Sequence, residues 1–209
     1  MIELRWRMAT MLTTPAKPDL LLQSADATWN RARWELLGDD GNRYEVIVGV
    51  LYMSSAPRPL HQLVSRLTER ALYEQIDNRG VGITLHAPIG LFMPGCDPVQ
   101  PDLLVIRTED MAIIRQEGIE GIPALLVEIL SPSNRNHDLL IKRVAYARAG
   151  VPEYWIFRPQ ERDVLIHSDP EPATGLYLQV QHIPATGELV SPTLPFRAPV
   201  ASFFPELPL

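Results

Sequence analysis

Regular spacing of apolar residues predicts the helices of this chain. Between residues 60 and 76 they recur at intervals of three and four, which lines one face of a helix. Residues 137–149 contain no Gly or Pro and end at Gly150, a common helix stop, so they are expected to form a second helix. An earlier helix is expected to begin at a Ser24 cap and to run to about Leu37.

Runs of β-branched and aromatic residues predict the strands. Residues 44–48 and 50–53 are separated by Gly49, so a bent strand or a tight hairpin is expected there. Further strand-like runs are residues 82–85, 89–92, 102–106, 124–130, 153–157, 162–167, 177–182 and 188–190. This order predicts an α/β fold with a mixed central β-sheet flanked by helices and with additional antiparallel strands near the C-terminus.

Length and composition place these elements in one globular domain. The 209 residues, 46% hydrophobic and 21% charged, suffice for one substantial core. We assign this domain to residues 24–209 and treat residues 1–23 as an N-terminal extension. No apolar run is long enough to span a membrane, and no signal-peptide pattern is present. Cys96 is the single cysteine, which excludes an internal disulfide and a cysteine-cluster zinc site, and the protein is expected to be cytoplasmic.

Two carboxylates stand in neighbouring predicted strands. Asp102 follows Pro101 at the start of one strand, and Glu128 lies inside the next apolar strand, 26 residues later. A buried carboxylate is costly unless it is protonated, paired or bound to a metal. Two such groups on adjacent strands can converge on a hard cation such as Mg²⁺, and the backbone carbonyl of Ile129 could add a third ligand.

Lys142 completes the candidate catalytic trio with Asp102 and Glu128. It lies on the predicted helix after the Glu128 strand, where Asp138, Lys142 and Tyr146 are spaced four apart on one side. A divalent ion, Mg²⁺ or Mn²⁺, would lower the pKa of a bound water and offset charge on a phosphodiester oxygen. The ammonium of Lys142 would orient that water or stabilise the charge of the transition state.

An ordered set of short segments resembles a bacterial family of predicted restriction endonucleases, abundant in cyanobacteria, within the PD-(D/E)XK nuclease superfamily. The set extends from about residue 24 to the C-terminus. Its members are Arg43-Tyr44-Glu45 with Gly49, residues 57–62 with His61-Gln62, Pro101-Asp102, residues 127–133, Asp138 with Lys142 and Tyr146, and residues 150–155. The resemblance implies a restriction-endonuclease-like fold, a metal-dependent endonuclease acting on DNA, and a homodimer.

The resemblance also assigns roles and shows two departures. The superfamily lysine usually lies two residues after the acidic residue, where this chain has Leu130, so Lys142 is implied to replace it. Relatives carry acidic residues on both sides of the glycine corresponding to Gly49, where this chain has Val48 and Val50. The accessory candidates are Glu45, His61, Asp138 and Tyr146.

The net charge of −6 and the pI near 5.4 bear on the implied DNA substrate. A protein that binds nucleic acid by bulk electrostatics carries a basic surface, which this composition does not provide. A bound divalent cation, however, reverses the field around a cluster of carboxylates. Local basic groups are therefore expected to matter more than the total charge.

The candidates also have interpretations without catalysis. Glu128 and Lys142 could form a buried ion pair, or Lys142 could pair with Asp138 on the helix surface. His61 could cap or pack at its helix start instead of lying at the edge of a site, and Tyr146 is expected to pack in the core. His137 is expected to be an exposed loop or helix-start residue. The alternative function is a catalytically weak or inactive nuclease-fold module that binds DNA or a protein partner.

Overall fold

The computed structural model describes residues 6–8, 22–38, 40–54, 57–131 and 135–206, with the backbone alone for residues 6–8. The α-helices are α1 (Arg31–Trp34), α2 (Pro59–Leu72) and α3 (Arg143–Ala149). The strands are β1 (Trp6–Met8), β2 (Leu22–Ser24), β3 (Arg43–Ile47), β4 (Val50–Ser54), β5 (Gly82–His86), β6 (Leu91–Met93), β7 (Cys96–Val99), β8 (Leu103–Arg107), β9 (Ile114–Arg115), β10 (Gly118–Glu120), β11 (Leu125–Ile129), β12 (Glu153–Arg158), β13 (Asp163–Glu171), β14 (Leu176–Ile183), β15 (Glu188–Val190) and β16 (Arg197–Pro199).

Shorter helical segments adjoin these elements. A π-helical segment, Tyr73–Asp77, continues α2, and another, His137–Lys142, leads into α3. Two 3₁₀ segments span Thr108–Ile113 and Val200–Phe203. Within the part of the chain that the structure describes, no helix has the length and apolar character needed to cross a membrane.

A six-stranded mixed sheet positions the candidate residues. Its order is β14-β13-β12-β11-β8-β5, with β11 parallel to β12 and all other neighbours antiparallel. This confirms the predicted α/β fold with a mixed sheet. A second sheet, which the apolar pattern did not predict, has eight strands in the order β1-β2-β4-β3-β7-β6-β10-β9, and β15 pairs with β16 separately.

The two faces of the six-stranded sheet belong to different cores. One face, with Val127 and Trp155, is buried with residues of α2 and of the C-terminal segment. The other face, with Leu126 and Ile156, is buried with residues of α3 and of the eight-stranded sheet. Strand β11 is therefore covered on both faces, which explains its nearly continuous apolar sequence.

The helix predicted over residues 60–76 is confirmed by α2 and its π-helical continuation, but the predicted helix start at Ser24 is wrong. Ser24 lies in β2, where its hydroxyl accepts a hydrogen bond from the Leu51 amide at 3.0 Å and donates one to the Asp26 carbonyl at 2.7 Å. These bonds tie it to the sheet. The helix is only α1, and its cap is Asn30, whose side chain accepts from the Arg33 amide at 3.0 Å.

The division between residues 1–23 and the domain stays a prediction. Within that range, β1 pairs antiparallel with β2, and β2 in turn pairs with β4 at the edge of the eight-stranded sheet. Residues 1–5 and 9–21 lie outside the described residues.

The expected hairpin at Gly49 is formed by β3 and β4. Gly49 has a φ of +78°, and a Cβ there would lie 2.4 Å from the Ala27 carbonyl oxygen, so this turn requires glycine. The neighbouring Val48 is 62% exposed. A carboxylate at position 48 would therefore lie at the surface of the hairpin.

A buried carboxyl group, that of Glu153 at the start of β12, holds the C-terminal segment against the sheet. It accepts hydrogen bonds from the indole N–H of Trp155, from the Ser191 hydroxyl at 2.7 Å and from the Thr193 hydroxyl at 2.6 Å. Glu153 itself is completely buried. Its bonds thus join β12 to a segment more than 35 residues away in sequence.

We predict that Glu153→Gln lowers the free energy of unfolding by about 2–4 kcal/mol, because the neutral amide weakens several buried hydrogen bonds and must place its NH₂ group among donors. Equilibrium urea unfolding measures the change. The matched control is Glu188→Gln at an exposed position, for which a change within about 0.5 kcal/mol is expected. Equal losses in the two variants would contradict a structural role for the Glu153 carboxyl.

Candidate active site

Glu128 is a carboxyl group inside β11, a strand of the six-stranded sheet whose five residues are all buried. It lies on β11 between β8 and β12, opposite Ile156 of β12, and it is 3% exposed. Strand alternation places it on the same face as Leu126 and Leu130, which belong to the core shared with α3. A carboxyl group in this position needs polar partners from the elements packed over that face.

Those partners come from the π-helical segment His137–Lys142, from α3 and from β3. The Lys142 Nζ atom lies 2.8 Å from Glu128 Oε1 and 2.9 Å from Glu45 Oε1, and 3.7 Å from Asp138 Oδ1. The Tyr146 hydroxyl donates to Glu128 Oε1 at 3.0 Å. Their spacing of four residues along the helix therefore does bring Asp138, Lys142 and Tyr146 to the Glu128 carboxyl.

Asp102 is held by a separate set of donors beside this cluster. The Ile129 backbone amide donates to Asp102 Oδ2 at 2.8 Å, and His61 Nε2 lies 3.0 Å from the same oxygen. The Arg43 guanidinium donates from Nη1 to Asp102 Oδ1 at 3.1 Å. Elements β3, α2, β8 and β11 thus meet at one carboxylate.

Charge is unbalanced across the cluster formed by Glu45, Asp102, Glu128, Asp138, Arg43 and Lys142, which we call the acidic cluster. Its four carboxyl groups face two permanent cations, which leaves an excess of two negative charges if all four are ionised. Asp138 Oδ1 is buried and has no hydrogen-bond partner among the described residues. Two histidines also adjoin these acids, since His61 Nε2 lies 3.0 Å from Asp102 Oδ2 and His137 Nδ1 lies 3.6 Å from Asp138 Oδ1.

The pKa values of the two central acids move in opposite directions. Burial raises the pKa of Glu128, and nearby Asp138 and Asp102 add to this effect against the opposing Lys142, so that the pKa lies well above its ordinary value. For Asp102, burial is outweighed by His61, Arg43 and Lys142, and its pKa falls below the ordinary range. Asp102 is therefore ionised, whereas Glu128 takes up a proton at a higher pH than an ordinary glutamate does.

Lys142 and Glu45 remain a charged pair in this setting. Burial lowers the pKa of Lys142, but the carboxyl groups of Glu128, Glu45 and Asp138 outweigh it and raise the pKa above its ordinary value. Burial likewise raises the pKa of Glu45, and the charges of Lys142 and Arg43 outweigh it and lower that pKa. The Gln100 amide, 2.7 Å from Glu45 Oε1, further stabilises the ionised carboxylate.

The donor chemistry of the acidic cluster fits an oxygen-ligated divalent cation. The described residues contain no group of three or more His, Cys, Asp or Glu side chains arranged to hold a metal ion. Mg²⁺, however, is commonly bound through one or two carboxylates and several waters. A bound divalent cation would favour the ionised form of Glu128 and so oppose the effects that raise its pKa.

A cleft of about 740 Å³ opens onto Asp102. Its lining includes Arg43, His61 and Arg66, and thus leads from the surface of α2 to the carboxylate. Among the described residues, the lining contains no Phe, Tyr or Trp side chain. The charged side chains of Arg43, Arg66 and Asp102 in the lining make the cleft suited to a charged group.

The structure brings every candidate side chain to one region but changes several expectations. His61 contacts Asp102 and so lies at the site edge, and Ile129 reaches the site through its amide group; a ligand role for its carbonyl stays a prediction. His137, expected to be exposed, is buried, with its ring centroid 4.5 Å from that of Tyr52. The neighbouring aromatic ring explains this burial.

Arg43 is the site residue that the sequence analysis did not single out as a candidate. It precedes Glu45 by two positions in β3, and strand alternation places both side chains on one face. Because Glu45 was already a candidate, the two-residue alternation of a strand could have identified Arg43 as a residue on the same face.

Comparison with known proteins gives the chain a family. The family model described as "Uma2: Putative restriction endonuclease" matches residues 32–201. Among solved structures, one described as "a putative nuclease belonging to DUF820", from Anabaena variabilis ATCC 29413, matches with a TM-score of 0.71 and 13% sequence identity. The match covers 84% of this chain and 97% of that chain, and it shows a shared fold. No curated protein matches this chain. Because the family model spans most of its length, the chain belongs to the Uma2 family.

Proposed function

We propose that this protein is a magnesium-dependent endonuclease that hydrolyses phosphodiester bonds in DNA. The observation that carries the proposal is the buried acidic cluster, in which Lys142 joins Glu128 and Glu45 beside Asp102. Perturbed pKa values among clustered, buried charges are typical of catalytic sites. Membership of the Uma2 family supports the nuclease class.

The residues of the acidic cluster would have different chemical roles. Asp102 and Glu128 would hold the metal ion, with the Ile129 carbonyl as a third ligand. When bound, Mg²⁺ supplies a water of lowered pKa and offsets charge on the scissile phosphate. Lys142, fixed by Glu45 and Glu128, orients the attacking water or stabilises developing negative charge.

Other residues keep these groups in position. Tyr146 holds one Glu128 oxygen, and the Ile129 amide and His61 hold one Asp102 oxygen. Asp138 adds negative charge beside Lys142 and so favours its ammonium form. A homodimer and a cytoplasmic location stay predictions, the first of which light scattering of the purified protein would test.

One observation favours a second candidate, a module that keeps the fold and binds DNA or a protein without cleavage. Both oxygens of Asp102 already have donors, from Arg43, His61 and the Ile129 amide, and Lys142 is bound to Glu128. Such a buried network is stable without a metal ion. Val48 and Val50, in place of the acids of relatives, agree with this alternative.

We predict that Glu128→Gln and Lys142→Met each lower the rate of supercoiled DNA nicking in Mg²⁺ by at least about 100-fold, because each removes a group from the reacting centre. Gel electrophoresis of plasmid DNA measures the rate. Far-ultraviolet circular dichroism of each variant checks that it is folded.

The matched control is Glu117→Gln, which changes a carboxylate that is 76% exposed in a surface pair. It is expected to nick DNA at the wild-type rate. Equal nicking by wild type, Glu128→Gln and Lys142→Met would identify a contaminating nuclease and reject the catalytic proposal. A complete lack of nicking by folded wild type would favour the binding module.

We also predict that Mg²⁺ stabilises the wild type increasingly as pH rises above 4.5, the ordinary pKa of the carboxyl group. Because Glu128 has a raised pKa in the folded state, the native protein binds more protons than the unfolded chain above this pH, and its stability falls as pH rises. Metal binding replaces the proton of Glu128. A ligand present at a hundred times its dissociation constant stabilises the folded state by about 2.7 kcal/mol.

Urea unfolding at several pH values, in Mg²⁺ or in EDTA, measures this effect and does not depend on DNA cleavage. Glu128→Gln is expected to lack both the decline in stability with rising pH in EDTA and the gain in stability in Mg²⁺, since its side chain has no proton to lose. An equal gain in stability from Mg²⁺ in wild type and in Glu128→Gln would show that the ion binds elsewhere.

A further inference from the structure

Strand β14 is an open edge of the six-stranded sheet. It lies at the end of the strand order, and within the described ranges of the chain it pairs only with β13. In an end strand, every second residue directs its backbone N–H and C=O groups away from the sheet. Over its eight residues, β14 therefore presents a row of backbone groups that can pair with a further strand.

The opposite end of the same sheet is protected. In β5, the backbone amide of Thr84 donates to the Asp77 carboxylate at 3.0 Å, and the Thr84 hydroxyl donates to the same group at 2.7 Å. Asp77 is the last residue of the π-helical segment that continues α2, so this segment lies against the free side of β5. Of the two end strands, β14 is thus the one that is open to a partner.

The side chains of β14 also favour pairing with another chain. Leu176, Leu178 and Val180 are 51%, 55% and 57% exposed, and their alternate positions place them on one face of the strand. The strand contains no Asp, Glu, Lys, Arg or Pro, the residues with which natural end strands prevent such pairing. Exposed apolar residues grouped in this way are typical of an interaction surface.

Charge and strand geometry indicate that the partner is a second copy of this chain. Two copies with a net charge of −6 repel each other, so contact is favoured where the surface carries no acidic group, as along β14. In an antiparallel pair, directly opposed side chains lie on the same face. When β14 pairs with itself about a twofold axis, even-numbered residues oppose even-numbered residues. The exposed residues Leu176, Leu178 and Val180 of the two copies therefore meet on one face.

We propose that β14 pairs antiparallel with β14 of a second copy and joins two six-stranded sheets into one continuous sheet. Backbone hydrogen bonds along the strand and burial of its exposed apolar side chains would stabilise this homodimer. The inference does not rest on the proposed nuclease function. It gives the predicted homodimer a specific interface.

Sedimentation equilibrium over a range of protein concentrations tests the proposal. Wild type is expected to be a reversible or stable dimer, and Leu178→Lys is expected to raise the dimer dissociation constant by at least about tenfold. The reason is that the twofold axis brings two ammonium groups together where β14 has no carboxylate to pair with them. Because Leu178 is exposed, the variant is expected to fold, which circular dichroism checks.

The matched control is Leu36→Lys, the same substitution at a leucine that is 70% exposed beyond the end of α1. Its dissociation constant is expected to stay within about twofold of the wild-type value. Equal weakening in the two variants would show an effect of net charge and overturn the proposal. A wild type that is monomeric at every concentration would also overturn it and leave β14 to a partner of another kind.

Amide hydrogen exchange, followed by NMR, distinguishes strand pairing from contact through another surface. In the wild-type dimer, consecutive amides in the middle of β14 are expected to be protected, because one set pairs with β13 and the alternate set with the second copy. In Leu178→Lys the alternate set is expected to exchange rapidly. Rapid exchange of that set in a wild-type dimer would overturn the proposal. DNA nicking by a monomeric wild type would reject this inference and leave the proposed function intact.

Discussion

The ion pair of Lys142 with Glu128 and Glu45 is the interaction on which the site and its surroundings depend. A carboxyl group in the central strand β11 is costly to bury, and removing one partner of such a pair typically costs about 3–5 kcal/mol. That constraint determines what packs over this face of the sheet. The π-helical segment and α3 must present Lys142 and Tyr146 there, and β3 must bring Glu45 from the other sheet. The two sheets are thus joined by charge as well as by apolar contact.

The opposite pKa shifts of Asp102 and Glu128 give the acidic cluster two different acids. Asp102 has enough donors to stay ionised, whereas Glu128 shares one lysine with Glu45 and has a raised pKa. Environments that separate the pKa values of two neighbouring acids commonly assign them different roles. Here Asp102, the ionised acid, lines the cleft, whereas Glu128, the acid with the raised pKa, is not among the lining residues.

The sequence predicted the parts of this arrangement that depend on local periodicity. The spacing of Asp138, Lys142 and Tyr146 placed them on one helix side, and an acid inside an apolar run identified Glu128. Contacts between segments that are distant in sequence were harder to predict. The turn chemistry of Ser24 suggested a helix cap, but its hydroxyl bonds to the Leu51 amide in a neighbouring strand. Similarly, β7, β9 and β10 are short strands without a clear apolar alternation, and their pairing in the eight-stranded sheet depends on partners that a single segment does not reveal.

The position of the lysine follows from the two-sided burial of β11. Leu130, where the superfamily lysine would stand, lies on the same face as Glu128 and belongs to the apolar core with α3. A lysine at that position would bring its long aliphatic stem and a charge into the space that this core fills. A helical lysine avoids that conflict, because Lys142 approaches Glu128 from the layer above the sheet and leaves Leu130 in the core. The same approach brings Glu45 within 2.9 Å, so the ammonium gains a second carboxylate that fixes its position. Moving the lysine to the helix therefore preserves both the packing of the sheet and the charge at its acidic residue.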